Sequence, residues 1–360
     1  MPISAVDVIG PAFEHTKQQL FRPFGIAQWA KLAFVGLLAG EMSSGGCSSP
    51  NFNRPSRGAV VPHLPGQLLH MQNPMLYAGL IAVLVVAALF LFILFLYISS
   101  VMRFVLFDSV VAKRCEIGRS WNHRQGAGVR YFVWKLLFTF VTAAVLVILI
   151  GIPAAFAFAS GWFRHPKQHV AELIFGGILL FFIVLAWFFL SLAVQVLTKD
   201  FVIPQMALEN LGPLQAWRRL LPMIDAEKGG YAGYLGMKLV LNIAAAIMIG
   251  IISLIAILLL LIPAGGIGVI AVLIGKTAGL TFNLYTISLT VIFAFIFIAI
   301  VVYVIALISV PAIVFFPAYS IHFFAARYRP LSEFLYPVPL PPIIPTSEPP
   351  LMPPLPEPGV

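Results

Sequence analysis

The feature that most constrains this sequence is a set of five long stretches without any Asp, Glu, Lys or Arg. They cover residues 75–102, 136–163, 173–198, 239–275 and 277–326. Each is longer than the roughly 20 apolar residues that a helix needs to cross the hydrocarbon layer of a membrane. Backbone amides find no water in that layer, and the stretches lack the alternating polarity of barrel strands. They therefore predict membrane-spanning helices.

The composition and the punctuation of the apolar runs extend this prediction to the whole chain. Of the 360 residues, 61% are hydrophobic and 10% are charged, whereas soluble domains carry about 25% charged residues. Six spans are predicted, at residues 28–46, 75–101, 136–163, 171–197, 238–262 and 283–309. The first has a short apolar core and reaches span length only when Glu41 and the Ser/Gly-rich residues after it are included. The predicted fold is all-α, a polytopic transmembrane helix bundle of about six spans.

The basic residues between the spans indicate the orientation. If six spans alternate in direction, 17 of the 22 Lys and Arg residues fall on the side of both termini. Loops rich in Lys and Arg stay in the cytoplasm, so the sequence predicts a multi-pass protein of the cell (inner) membrane with both termini cytoplasmic. This placement explains the net charge of +9, and we expect no nucleic-acid partner. Cys47 and Cys115 fall on opposite sides, so no disulfide is expected.

An internal repeat supports the count of spans. Lys31, Lys135 and Lys238 each precede a Leu and open an apolar helix, at spacings of 104 and 103 residues. Each follows a polar stretch that contains aromatic residues. The repeated unit is predicted to be a cytoplasmic interfacial helix, a span outward and a span back, which would give three hairpins. The alternative is that lysines occur wherever a span meets the interface.

Two of these polar stretches, residues 110–131 and 206–234, are predicted to lie along the cytoplasmic membrane surface. Arginines in such positions meet anionic lipid headgroups, each with a favourable free energy of about 1 kcal/mol. The predicted lipid-facing residues are Arg114, Arg119, Arg124, Arg218 and Arg219. Membrane lipids are therefore the first partners that the sequence predicts.

The second of these stretches also carries a resemblance to a known family. FVIP at 201–204, followed by LENLGPLQAWRR at 208–219, resembles the cytoplasmic segment of uncharacterised bacterial six-helix membrane proteins related to the glycerophosphoryl diester phosphodiesterase membrane domain. The resemblance covers roughly residues 5–330. In that family the membrane part accompanies a separate catalytic domain. This chain has no room for one, so the resemblance implies the membrane fold and not the enzymatic activity.

The predicted organisation has three parts. Residues 1–27 form an N-terminal cytoplasmic amphipathic helix, residues 28–330 the six-span membrane domain, and residues 331–360 a Pro-rich disordered cytoplasmic tail. The tail has eleven prolines between residues 337 and 359, a composition typical of extended polyproline II. It either docks into the aromatic groove of a protein partner or is a solvated tail. Residues 45–74 are predicted to be an external loop.

Two patterns imitate ligand sites. GIGVIA at 266–271 matches the dinucleotide glycine pattern, but the strand before it and the acidic residue about 20 positions later are missing. We therefore expect no nucleotide and no other cofactor, and interpret residues 266–275 as an external turn or a re-entrant segment. His165, His169 and Glu172 have helical spacing that suits zinc, although Pro166 disfavours a helix there. An ordinary hydrated loop is the preferred interpretation, with no metal.

Glu41 is the ionisable residue of greatest interest. It lies ten residues beyond Lys31, about 15 Å along a helix. If the first helix stands upright, Glu41 lies inside the membrane, where ionisable groups are costly and usually functional. No Lys or Arg lies in the interior of another predicted span, so a proton or a transported cation would then be its partner. If the helix ends at Gly40, the Glu41 carboxylate lies in water.

The sequence offers no catalytic motif, such as a nucleophile elbow or a zinc-protease helix. The leading hypothesis is a non-catalytic integral membrane protein, an accessory or scaffold in lipid or envelope processes. A transporter or channel component is the first alternative, and a membrane-embedded enzyme is the second. Convergence of Glu41, Gln195 and Asn242 on one cavity would favour the transporter, because translocation needs polar groups between the spans.

Overall fold

The computed structural model describes residues 4–22, 24–41, 74–162, 169–277 and 284–336. Within these residues the chain forms ten α-helices. They are α1 Ile9–Phe21, α2 Ile26–Ala39, α3 Pro74–Val111, α4 Ile117–Ala159, α5 Val170–Leu197, α6 Ile203–Glu209, α7 Pro213–Ala226, α8 Lys228–Thr277, α9 Leu284–Ala325 and α10 Arg329–Leu335. A π-helical turn at Thr198–Val202 joins α5 to α6.

The buried side chains lie at one end of the molecule, which we call the base. The base comprises residues 5–22, 24–41, 98–135, 198–238 and 304–336. The remaining parts of α3, α4, α5, α8 and α9 extend away from it with mostly exposed, apolar side chains; from residue 79 to residue 95 every side chain is exposed. A helix that is apolar on all sides is stable in lipid and not in water. We call these parts the membrane segments.

Five helices are long and apolar enough to cross a membrane, which confirms the predicted membrane helix bundle. They contain the candidate spans Gly79–Val111, Ile117–Ala159, Val170–Glu209, Lys228–Gly275 and Ser288–Ala325. Five of the six predicted spans lie in these helices. The fit is closest for α5, which covers Val170–Leu197 where residues 171–197 were predicted.

The helix predicted as the first span is shorter than the other five. α2 has 14 residues, a length of about 21 Å, whereas the hydrocarbon core is about 30 Å thick. It ends because Gly40 adopts a left-handed conformation with φ 77°. One face of α2 is buried against α9, and a Cβ at Gly36 would lie 2.6 Å from the Ile313 side chain. This sixth apolar helix is therefore part of the base.

The two polar stretches predicted to form separate interfacial helices differ from each other. α3 continues to Val111 and α4 begins at Ile117, so residues 110–131 belong to two long helices that also enter the membrane segments. α7, in contrast, is a separate amphipathic helix that buries Ala216 and Leu220. A continuous helix is stable here because α3 and α4 pack along each other within the base.

The centre of the base is a group of aromatic rings on the π-turn, α8 and α9. The Tyr234 ring lies 5.2 Å from Tyr319, nearly parallel to it, and 4.5 Å from Phe323. Phe201 lies 5.0 Å from Tyr234. α1 is held beside α3 by a hydrogen bond that the Gln19 side chain donates to the Ser109 carbonyl, 2.9 Å. These contacts connect the ends of four helices and fix the positions from which the membrane segments start.

Three further predictions concern turns and loops. α8 continues through Pro263 to Thr277, so the turn or re-entrant segment predicted at residues 266–275 is wrong. Helix α10 includes residues predicted to be tail from position 331. The rest of the tail and almost all of the predicted loop at residues 45–74, including Cys47, lie outside the described residues. Cys115 is buried in the base.

Candidate functional site

Charged side chains from five parts of the chain meet inside the molecule where the base joins the membrane segments. We call these residues the charge cluster. Its members are Glu41, Arg103, Lys135, Lys199, Asp200 and Lys238. They come from the end of α2, from α3, from α4, from the π-turn and from α8. Glu41, Asp200 and Lys238 are buried, and Arg103, Lys135 and Lys199 are half-buried.

Glu41 forms an ion pair with Lys199 of the π-turn. The Glu41 side chain is 3% exposed and that of Lys199 is 18% exposed. The expectation that no cation would face Glu41 is therefore wrong, and so is the alternative of a carboxylate in water. Burying a carboxylate is costly unless a cation compensates it. Lys199 provides that compensation, so neither a proton nor a transported cation is required.

Asp200, the next residue, faces a different set of partners. Its Oδ2 accepts a hydrogen bond from the Tyr234 hydroxyl, 2.9 Å, and an ion pair from Lys238. The side chains of Asp200 and Lys238 are 3% and 6% exposed. A π-turn is rare and often lies at a functional site. Here it allows adjacent residues of opposite charge to reach partners on α2 and α8.

Arg103 and Lys135 differ from the other two cations of the charge cluster. Arg103 donates from Nε to the Ala39 carbonyl, 3.2 Å, and from Nη1 to the Tyr131 hydroxyl, 3.4 Å. Lys135 donates to Ser99 Oγ, also 3.4 Å. Within the described residues neither lies within 4 Å of a carboxylate. The charge cluster therefore has four cations and two carboxylates, and the hydrogen bonds of Arg103 and Lys135 go to neutral acceptors.

Two cavities border the charge cluster, and a third lies beyond it. A cavity of about 30 Å³ touches Glu41, Arg103, Lys199 and Asp200, a size that suits about one water molecule. A second cavity, of about 100 Å³, is lined by Arg103, Tyr131, Trp134, Lys135, Phe138, Thr139, Gln195 and Thr198. An apolar cleft of about 440 Å³ lies between α4 and α5. Excess positive charge beside the second cavity can bind an anion.

The convergence expected for a transporter is not observed. Glu41 borders the smallest cavity and Gln195 the other two. Asn242 lies on α8, and its buried Oδ1 has no hydrogen-bond partner among the described residues. The three residues whose convergence would favour a transporter therefore do not share any of these three cavities.

The five arginines predicted to face lipid have different surroundings. Arg124 forms a two-pronged ion pair with Asp108, with both N–O distances 2.8 Å, and Arg219 pairs with Glu209. Arg119 is exposed and lies 3.8 Å from Glu116. The two others, Arg114 and Arg218, are exposed. Arg124 is mostly buried and has an Asp partner where a lipid headgroup was predicted, because α3 and α4 pack side by side.

The histidine-rich turn does not form a metal site in the described residues. His169 Nδ1 lies 3.9 Å from Glu172 Oε1, while His165 lies outside the described part. No group of three or more His, Cys, Asp or Glu side chains suited to a metal is found in the described ranges. The pair at the start of α5 is an exposed contact within one helical turn.

Arg103, Lys199 and Asp200 were not predicted as site residues, although the sequence contains a signal for them. Arg103 directly follows the uncharged stretch 75–102, and Lys199 and Asp200 directly follow 173–198. Lys135 and Lys238 directly precede two other uncharged stretches. Charges at the ends of neighbouring spans lie at the same depth in the membrane, so they can meet in the folded chain. Lys31, the remaining lysine of the predicted repeat, is exposed on α2 and lies outside the charge cluster.

A further ion pair, between Glu227 and Arg327, connects the start of α8 to the end of α9. Arg327 donates to both carboxylate oxygens of Glu227, at 2.8 and 2.7 Å, and its guanidinium lies 3.9 Å from the Phe323 ring. These hydrogen bonds from Arg327 hold the pKa of the Glu227 carboxyl below its usual value. A carboxylate with a lowered pKa stabilises the folded state above its unfolded pKa and loses this effect as the pH falls through its folded pKa.

We expect Glu227→Gln to lower the thermal unfolding midpoint at pH 7, and the difference from the unmodified protein to shrink as the pH falls below about 4. The measurement is thermal unfolding of the purified protein in detergent at a series of pH values. Glu333→Gln is the matched control, because the Arg329–Glu333 pair is largely exposed and contributes little. A difference that stays constant down to pH 3 would contradict the role of the ion pair.

Comparisons with known proteins match one family over most of the chain. No curated protein and no solved structure matches the chain. The model of one family of unknown function, DUF7544, matches residues 3–333. This range includes all ten described helices in full except the last two residues of α10. Because the match covers far more than half of the chain, the protein belongs to DUF7544, a family of unknown function.

Proposed function

We propose that this protein is a non-catalytic accessory or scaffold in lipid or envelope processes that works by binding anionic phospholipid. The observation that carries this proposal is the excess of two cations in the charge cluster. Buried charges destabilise a fold unless they are compensated. Arg103 and Lys135 border an open cavity, so an anion from outside the chain can supply that compensation.

The depth of the charge cluster supports a lipid as the source of the anion. The side chains of residues 79–95 are exposed and apolar or small, and this part of α3 is about 25 Å long. Arg103 lies about two turns further, close to where the hydrocarbon layer of about 30 Å ends and the headgroups begin. An anion at this level is a lipid phosphate.

The base is proposed to lie at the cytoplasmic face of the cell membrane, with both ends of the chain on that side. The distribution of Lys and Arg supports this orientation, because 17 of the 22 residues lie in the base. Lys and Arg are enriched on the cytoplasmic side of membrane proteins. We also propose that residues 201–219 resemble the cytoplasmic segment of membrane proteins related to the glycerophosphoryl diester phosphodiesterase membrane domain. This resemblance likewise favours the cytoplasmic side for the base. Neither supports an enzymatic activity.

Thermal unfolding of the purified full-length protein in detergent micelles tests the proposed function. We expect added anionic phospholipid to raise the unfolding midpoint, because a ligand that binds only the folded state stabilises it by about 2.7 kcal/mol at 100 times its Kd. A zwitterionic phospholipid with the same acyl chains is the control. The shift should persist at about 1 M salt, where surface charges are screened beyond about 3 Å. Equal shifts with both lipids would refute the proposal.

A further inference from the structure

We propose that one anionic phospholipid binds in the cleft between α4 and α5, with its phosphate between Arg103 and Lys135 and its acyl chains along the apolar cleft. This inference rests on the proposed function and adds the position and the chemistry of the site. Two cavities carry it, one polar and one apolar, and both are bordered by the exposed side chain of Gln195 on α5. Two neighbouring cavities of this kind suit a molecule with a charged end and an apolar end.

The polar end supplies hydrogen-bond donors as well as charge. Arg103 bonds to Ala39 and Tyr131, and Lys135 bonds to Ser99. Each side chain has further N–H groups, because a guanidinium carries about five donors and an ammonium about three. Charge-assisted bonds to a phosphate are about twice as strong as neutral ones. Two cations on neighbouring helices therefore form a clamp for one phosphodiester.

The apolar end suits acyl chains and not a soluble anion. The cleft of about 440 Å³ is lined by Thr142, Leu146, Phe181, Val184, Leu185, Trp187, Phe188, Ser191, Leu192 and Gln195. Most of these side chains are apolar, and the cleft lies at the level of the hydrocarbon layer. A free phosphate would fill only the polar cavity and leave this cleft without a role.

The charge of the site selects among headgroups. The charge cluster already contains two cations in excess. A zwitterionic headgroup would bring a further cation close to Lys135 and Arg103, and like charges at short distance repel each other. A phospholipid whose headgroup carries no amine neutralises the site without this repulsion. The site is therefore specific for an anionic phospholipid.

Native mass spectrometry of the full-length protein with added anionic phospholipid tests the site. We expect one retained lipid on the unmodified protein and at least about tenfold weaker retention for Lys135→Met, because the phosphate loses a charge-assisted hydrogen bond and about 1.4 kcal/mol of affinity is a factor of ten. Lys135→Arg should restore retention, which shows that the position folds normally. Lys228→Met at the start of α8 is the matched control, since the Lys228 side chain is 75% exposed and lines neither cavity. Retention by Lys135→Met equal to that of the unmodified protein would overturn the site, whereas stabilisation by anionic lipid would still support the proposed function.

A second variant distinguishes a lipid from a free anion. Val184→Trp narrows the cleft without changing any charge, and Val184 lines only the apolar part. If a phospholipid is bound, this variant should also weaken retention about tenfold, while its unfolding midpoint without lipid stays near that of the unmodified protein. Undiminished lipid retention by Val184→Trp, together with stabilisation of the protein by inorganic phosphate alone, would identify a soluble anion and refute the acyl-chain site.

Discussion

Asp200→Asn should lower the free energy of unfolding by about 3–5 kcal/mol, because it leaves Lys238 buried without its counter-charge. Both side chains are almost fully buried, so bulk water does not solvate the unpaired ammonium group. The Asn side chain keeps the size of Asp and can still accept the hydrogen bond from Tyr234, which limits the change to the charge. Unfolding by added sodium dodecyl sulfate in mild detergent micelles measures the difference.

The control for this prediction is Asp225→Asn, because the Asp225–Lys228 pair is about three-quarters exposed on both sides and should change the free energy by less than about 1 kcal/mol. Combining Asp200→Asn with Lys238→Met should recover most of the loss, since the uncompensated cation is then absent. If the double variant is less stable than Asp200→Asn alone, the unpaired charge is not the cause of the loss.

Gly128→Ala should destabilise the protein by about 1–3 kcal/mol, because the added methyl group overpacks the contact between α3 and α4. A Cβ at Gly128 would lie 2.6 Å from Val101 Cγ2 and 3.2 Å from Val101 Cα. The second atom belongs to the backbone, so rotation of a side chain cannot relieve the clash. The two helices must move apart at the level of the charge cluster.

Gly126→Ala, two residues earlier on α4, is the matched control. A Cβ there would meet nothing within 4 Å, and Ala is favoured over Gly inside a helix by about 1 kcal/mol. The two substitutions should therefore shift the unfolding midpoint in opposite directions. Equal shifts would mean that α3 and α4 do not approach each other as closely at Val101 as the structure has them.

The long helices could be predicted because their cause is local. A run of apolar residues without a charge satisfies its backbone in lipid only as a helix, so α5 follows from its own sequence, and so do the membrane segments of α3, α4 and α9. The end of α8 could not be predicted in the same way. Pro263 and the glycines after it predicted a turn at residues 266–275, yet α8 continues to Thr277.

The position of α2 could not be predicted in this way. Apolar residues indicate removal from water, and both lipid and the interior of a protein provide it. α2 covers most of the described part of the predicted first span, and it buries Leu32 and Val35 in the base. The close approach of Gly36 to Ile313 is a contact between distant parts of the chain. Only the packing of the complete fold decides it.

The sequence by itself therefore determined that this chain is a bundle of membrane helices, because membrane insertion depends on the sum of local side-chain properties. It also placed the charges at the ends of the uncharged stretches. Only the tertiary structure decided that Glu41 meets Lys199, 158 positions away, and that Arg103 and Lys135 lie beside a cavity with no described carboxylate within 4 Å. Ion pairing depends on distances of a few ångströms between helices, and the packing of the base sets those distances.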